Sequence, residues 1–257
     1  MVRLVASDLD GTLLKDGSQE LNPELFDMIM KLKEKGIHFA AASGRHFQSI
    51  RDLFFPIKDE ISYITENGSL TLHNGAIITK GLIERTLGQE IIKSIQAKEG
   101  CNVMLSTEQG LFVEDKDARF LDFLTHTMKY EYQVTDNILD IPYDYLKIAV
   151  CNFDGTDAFA DHFHNLFSSR IGVVTSGNIW VDFIAPNANK GSSLLALLDH
   201  LGITREECIA FGDQFNDIEM LEIAGKGYAM TTCAKGVEAY ADAQVGSVEE
   251  ILQELLL

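Results

Sequence analysis

Near its start the chain reads Leu4-Val5-Ala6-Ser7-Asp8-Leu9-Asp10-Gly11-Thr12, a mostly apolar run that ends in two acids and a turn. A run this short and apolar reads as a buried strand. In extended backbone alternate side chains share a face, so Asp8 and Asp10 can point at one spot as the chain leaves the strand. Gly11 lets the backbone turn sharply beneath them. Two carboxylates about 4 Å apart repel by roughly 4 kcal/mol at an effective dielectric near 20, so the pair calls for a cation or a shared proton. A calcium loop does not fit, because its required Gly and Glu fall on Leu13 and Gln19.

With 257 residues the chain has room for a core domain and a smaller second one. Its net charge of -18 argues against nucleic acid and against an anionic membrane surface, since no basic stripe is present. An anionic substrate stays possible where a metal and local cations reverse the field in a pocket. Cys101, Cys151, Cys208 and Cys233 are widely spaced without a Cys-x-x-Cys pair and read as free, mostly buried thiols. No apolar stretch approaches the ~20 residues of a membrane span, and no signal-peptide layout opens the chain. A cytoplasmic protein is expected.

Asn22-Pro23-Glu24 marks a helix start, with Leu25, Met28, Ile29 and Leu32 at helical spacing and Gly36 at its end. An apolar strand from Ile37 to Ala42 runs into Ser43-Gly44-Arg45. A helix near His46 to Phe54 and a short strand over Tyr63 to Thr65 follow. Ser69 to Leu72 and Ala76 to Thr79 flank Asn74-Gly75, a hairpin signal. Strand, helix, strand with polar groups at each strand exit is the α/β pattern.

From about Leu82 the texture changes to hairpins mixed with helices. Strands are expected over Asn102–Ser106, Leu111–Val113, Tyr145–Cys151, Arg170–Thr175 and Ile179–Ile184, the last two turning at Gly177-Asn178. Helices carry Ile91, Ile92 and Ile95, then Phe120, Leu121 and Leu124 behind Asp117. A third helix, Asp157 to Phe167, buries Phe159, Phe163, Leu166 and Phe167. The polar stretch 129–144 has no clear pattern. Residues 82–184 therefore form an inserted α+β domain, and 1–81 with 185–257 the core. The α/β texture resumes with a helix opened by Asn189-Lys190. An apolar strand from Cys208 to Phe211 exits into Gly212-Asp213-Gln214-Phe215-Asn216-Asp217, and a helix follows over Ile218, Leu221 and Ala224. A short strand at Tyr228–Met230, a helix from Ala234 and a terminal helix capped by Ser247 complete the chain.

Four polar clusters thus sit at strand exits or helix starts: Asp8/Asp10/Thr12, Ser43/Gly44/Arg45, Asn189/Lys190 and Asp213/Asn216/Asp217. In parallel sheets ligands bind outside the carboxyl ends of the strands. Carboxylates, a hydroxyl and an ammonium gathered there suit phosphoryl transfer with a carboxylate nucleophile. The order and spacing of these clusters resemble the haloacid dehalogenase superfamily, whose first motif is Asp-x-Asp-x-Thr, and the insertion resembles the cap of its Cof-type subfamily. The resemblance implies a Rossmann-like parallel-sheet core with an inserted α+β cap that closes over it. It also implies a Mg²⁺-dependent phosphatase acting on small phosphorylated metabolites, sugar phosphates foremost. By the same resemblance Asp8 is the nucleophile and a metal ligand. Asp10 is the general acid and base, its backbone carbonyl a second ligand, and Asp213 the third. Thr12 orients Asp10. Thr12, Ser43, Gly44 and Asn216 line the phosphate pocket, and Lys190 stabilises the phosphoryl charge. Asp217 supports the metal from behind its ligands, and Asn67 lies near the pocket. The chain departs from the subfamily after Met230, where Thr231-Thr232-Cys233 replaces a Gly-Asn-Ala-like segment.

Each residue alone has a plainer reading. Ser43-Gly44 could be a strand-to-helix turn, Lys190 a solvated cation, Asp217 an acid in a helix's first turn, and Arg45 the partner of a surface acid. His162 and His164 do not face each other on a helix, so a zinc site is not expected, and Trp180 reads as core. Two functional rivals stay open. One is a phosphomutase or phosphotransferase using the same intermediate. The other is a catalytically silent metabolite-binding protein on this scaffold.

Overall fold

The computed structural model describes residues 1–15, 17–114, 116–156, 159–175 and 178–257, which form two compact units. The first comprises Met1–Thr79 with Asn189–Leu257, the second Lys80–Ala188. The divisions expected from the sequence, after residues 81 and 184, lie a few residues from these.

The opening strand β1 (Leu4–Asp8) is buried along its whole length. Asn22 then caps α1 (Pro23–Glu34), its side chain accepting from the Glu24 N–H. Pro23 fills the first helical position, where no N–H is needed. Next come β2 (His38–Ala42), α2 (Phe47–Leu53) and β3 (Ser62–Thr65). The hairpin of β4 (Leu70–His73) and β5 (Ala76–Lys80) turns at Asn74 and Gly75, with φ of +50° and +76°. Both signs are those of the two-residue turn that Asn-Gly favours.

In the second unit α3 (Arg85–Gln96) buries Ile91, Ile92 and Ile95 on one face. β6 (Asn102–Thr107) and β7 (Gly110–Glu114) form a hairpin, and Asp117 caps α4 (Ala118–Asp122) through the N–H groups of Arg119 and Phe120. β8 (Tyr132–Thr135) lies inside the stretch that showed no pattern; its polar sequence hides a strand that exists by pairing with β7. β9 (Lys147–Cys151), α5 (Ala160–Phe167), β10 (Gly172–Thr175) and β11 (Trp180–Ile184) complete the unit. The expected helix start at Asp157 and the turn at Gly177 lie outside the described residues. Leu166 is exposed, contrary to expectation, because Phe163 and Phe167, one turn apart, already define the buried face of α5. The sheet order is β10-β11-β9-β6-β7-β8, antiparallel except for the β7–β8 pair. Trp180 packs on Phe120 and Phe123 and belongs to a core cluster.

The chain returns through α6 (Lys190–Leu201), β12 (Cys208–Gly212), α7 (Ile218–Ile223) and β13 (Lys226–Met230). The helix expected from Ala234 is a single tight turn over Val237–Tyr240, entered through Gly236 in left-handed backbone. The strand β14 (Ala243–Val245) was not foreseen; three residues make no period, and it forms on the edge that Tyr228–Met230 offers. Ser247 caps α8 (Val248–Leu256) by accepting from the Glu250 N–H. The sheet of this unit runs β14-β13-β12-β1-β2-β3-β4-β5. From β14 to β3 every pair is parallel, and β1 sits between β12 and β2 with Leu4 level with Cys208 and His38. The carboxyl ends of six strands therefore share one edge.

At the opposite edge His73 stands between His38 and His200, ring centroids 6.0 and 5.6 Å away, with Arg3 and Lys33 nearby. Partial burial, then these neighbouring basic groups, hold His38 and His73 below the ordinary histidine value. As pH falls below about 6.5 the unfolded chain takes up these protons first, so the associated stability is full above that pH and lost below it. The melting temperature should drop between about pH 7.5 and about pH 5.5, and less so in His73→Gln; equal slopes in the two proteins would contradict this.

Candidate active site

The site is built on the first unit, where β1, β2 and β12 end side by side. Asp8, the last residue of β1, is almost fully buried. Lys190, the first residue of α6, is 1% exposed, and its Nζ donates to Asp8 Oδ1 at 2.6 Å and to Asp217 Oδ1 at 2.5 Å. Asn189 fixes the start of that helix through a reciprocal cap with Ser192, which aims the lysine inward. The solvated-lysine reading is therefore wrong. Asp217 is buried too, and its second oxygen accepts from the backbone N–H groups of Asp213 and Gln214, at 2.9 and 3.0 Å.

Asp213 completes a cluster. One carboxylate oxygen each from Asp8, Asp213 and Asp217 lie within 4.8 Å of one another, the only such set of metal-binding side chains among the described residues. Hard, buried oxygen donors of this kind suit Mg²⁺. Three carboxylates against one ammonium leave a surplus of buried negative charge. Burial, and then the Asp217 charge, hold the Asp8 carboxyl well above its usual range in spite of Lys190. Burial also lifts Asp213. Burial pulls on the Lys190 ammonium, yet the charges of Asp217 and Asp8 outweigh it and keep the lysine above its ordinary value. A divalent cation would relieve the surplus. Asp217, expected behind the ligands, brings one oxygen within 4.8 Å of oxygens of Asp8 and Asp213.

Close approach is possible because Gly11 lacks a side chain. Its φ is +93°, and a Cβ there would lie 2.3 Å from Asp213 Oδ2. Thr12 was expected to orient Asp10, but its hydroxyl donates to Asp213 Oδ1 at 3.0 Å. In the same tight turn the Gly11 N–H donates to the Leu14 carbonyl and the Thr12 N–H to the Leu9 carbonyl. Asp10 takes a different partner. Its side chain is 53% exposed, and Arg45 Nε and Nη2 donate to its two oxygens at 2.8 and 2.5 Å. Arg45 itself is 6% exposed and also donates to Gln19 Oε1 at 2.9 Å. A two-point guanidinium clamp of this kind fixes a carboxyl group's orientation. Arg45 is the residue that sequence reasoning undervalued; its place directly after Ser43-Gly44, at a strand exit, was the available signal.

Ser43 and Gly44 follow β2 at the same edge, where Ser43 Oγ accepts from the Arg45 N–H at 3.2 Å. Asn67 links two loops: its N–H donates to the Ser43 carbonyl, and its Oδ1 accepts from Asn216 Nδ2 at 2.9 Å. Asn67 adopts left-handed backbone, which asparagine tolerates better than most residues. The unusual segment Thr231-Thr232-Cys233 leads to Ala234, whose N–H donates to the Asp213 carbonyl at 2.8 Å. His162 and His164 join no metal-binding cluster among the described residues.

A family model described as haloacid dehalogenase-like hydrolase matches residues 5–254. The HMP-PP phosphatase of Cronobacter sakazakii is 30% identical over 90% of this chain and 84% of its own. The Escherichia coli 5-amino-6-(5-phospho-D-ribitylamino)uracil phosphatase YbjI is 24% identical over 96% of this chain and 91% of its own. A solved structure from Eubacterium rectale superposes with a TM-score of 0.86 at 30% identity, covering 99% of this chain and 98% of the other.

Replacing Lys190 by Met would leave two buried carboxylates without their cation. Removing one partner of a buried pair costs roughly 3–5 kcal/mol. Urea denaturation in a chelator should show a loss of that size for Lys190→Met, and a variant as stable as the parent would refute the bridging role.

Proposed function

Because the chain belongs to the haloacid dehalogenase-like hydrolases, we propose that its phosphatase chemistry runs through a covalent aspartyl phosphate on Asp8. The buried Asp8–Lys190–Asp217 array with Asp213 beside it carries this reading. An Asp8 oxygen attacks phosphorus as the bond to the leaving alkoxide breaks, and Asp10 gives that alkoxide a proton. Water then attacks the phosphorus of the acyl phosphate, Asp10 takes its proton, and Asp8 is freed with inorganic phosphate. Lys190 holds Asp8 in place and offsets charge on the phosphoryl oxygens. Ser43 and the following backbone N–H receive one phosphoryl oxygen, and Asn216 lines the same pocket.

Asp8, Asp213 and Asp217, with the Asp10 carbonyl, are the groups that would hold Mg²⁺. When bound, the metal neutralises the surplus carboxylate charge and draws the anionic phosphate toward Asp8. The Arg45 clamp gives Asp10 a fixed resting position. Acid catalysis then needs that clamp to loosen when substrate arrives, so that Asp10 can carry a proton to the leaving oxygen. Two named relatives are phosphatases whose names specify small phosphorylated compounds, which supports the same substrate class here, sugar phosphates included. The unit Lys80–Ala188 is the inserted cap in this reading.

Asp8→Asn should abolish phosphate release from an aryl phosphate while leaving the circular dichroism spectrum unchanged. Turnover near the parental rate would remove Asp8 as nucleophile. Chelation of divalent metal should stop the reaction and Mg²⁺ restore it; activity that persists in chelator would take the metal out of the mechanism. Product analysis with a sugar hydroxyl present separates hydrolysis from phosphoryl transfer.

A further inference from the structure

The four acids at the site differ in what neutralises them. Asp8 and Asp217 share the Lys190 ammonium, and Asp10 is clamped by the Arg45 guanidinium. Among the described residues no ammonium or guanidinium donates to the Asp213 carboxylate, and two neutral side chains do. Thr12 Oγ1 donates to its Oδ1 at 3.0 Å, and Gln214 Nε2 donates to its Oδ2 at 2.9 Å. Neutral donors fix a carboxylate in space without cancelling its charge, and each carboxylate oxygen keeps a lone pair for a cation.

Gln214 touches two acids of the cluster. Its backbone N–H donates to Asp217 Oδ2 at 3.0 Å, and the Asp217 N–H returns to the Gln214 carbonyl at 3.0 Å. From the backbone so held, the side-chain amide nitrogen reaches Asp213 Oδ2. Gln214 therefore links the orientation of one acid of the cluster to the loop that carries another. Gln214 is exposed, so its side chain contributes little to the core.

We propose that Gln214 is a positioning residue that sets divalent-metal affinity by holding the Asp213 carboxylate in its ligating orientation. The proposal rests on reading Asp8, Asp213 and Asp217 as the metal site. Partners that orient metal ligands in this way are worth about 10–100-fold in metal affinity. Removing the amide frees the Asp213 carboxylate to turn about its side-chain bonds, and the cation must then pay to order it.

The test is Mn²⁺ binding measured by calorimetry on the full-length parent, Gln214→Ala, Gln214→Met and Asp213→Asn. Both Gln214 variants should bind Mn²⁺ at least about tenfold more weakly than the parent, while their metal-free melting temperatures stay at the parental value. Mn²⁺ affinity within about twofold of the parent in both would overturn the proposal while leaving the metal site standing. A weaker affinity accompanied by a matching fall in metal-free melting temperature would overturn it too, because the residue would then be merely structural. If Asp213→Asn binds Mn²⁺ as well as the parent does, the metal-site reading fails and the proposal with it.

Discussion

The contact on which the candidate site depends is the buried bridge from Lys190 to Asp8 and Asp217. It joins the end of β1 to the start of α6 and to the loop after β12, through two bonds that span 182 and 27 positions along the chain. A lysine with so little access to water is stable as an ammonium only because two carboxylates face it. The carboxylates in turn stay buried because the ammonium is there. Neither side of the arrangement survives without the other, and the remaining acid, Asp213, adds the charge that asks for a metal.

The sheet makes this bridge possible. β1 lies between β2 and β12, all three parallel and in register from Leu4 onward, so their exits are neighbours. Connections between parallel strands put helices at those exits, and helix starts supply inward-facing groups such as Lys190 and backbone N–H donors. Gly11 then allows the loop after β1 to pass against Asp213, where any Cβ would collide. The geometry of the site is thus a consequence of strand order, helix capping and one missing side chain.

The acids of the site also show how one residue type is given several characters. Asp8 is buried and opposed by an ammonium, Asp10 is half-exposed and held by a guanidinium, and Asp213 is oriented by neutral donors. A carboxyl group bonded to a fixed ammonium is held in one orientation. One at the water's edge is open to an incoming molecule, and one with neutral partners keeps lone pairs for a cation. Electrostatic surroundings, more than position in a motif, distinguish these roles.

Most of the elements, and the edge at which these polar side chains gather, were legible in the sequence alone. Apolar runs such as Cys208–Phe211 and caps such as Asn22-Pro23 and Asn189 act over a few residues, and local physics is legible in local sequence. The same holds for the Asn74-Gly75 hairpin. What was not legible depended on partners far away in the chain. β14 needs the edge of β13, β8 needs β7, and the burial of α5 was misjudged at Leu166 because neighbouring faces decide it. Thr12 meets Asp213 across 201 positions, and Arg45 meets Asp10 across 35. Only the tertiary structure could assign these pairs, because a side chain's hydrogen-bond partner is set by the register of strands that the chain brings together, and no spacing within a single segment encodes it.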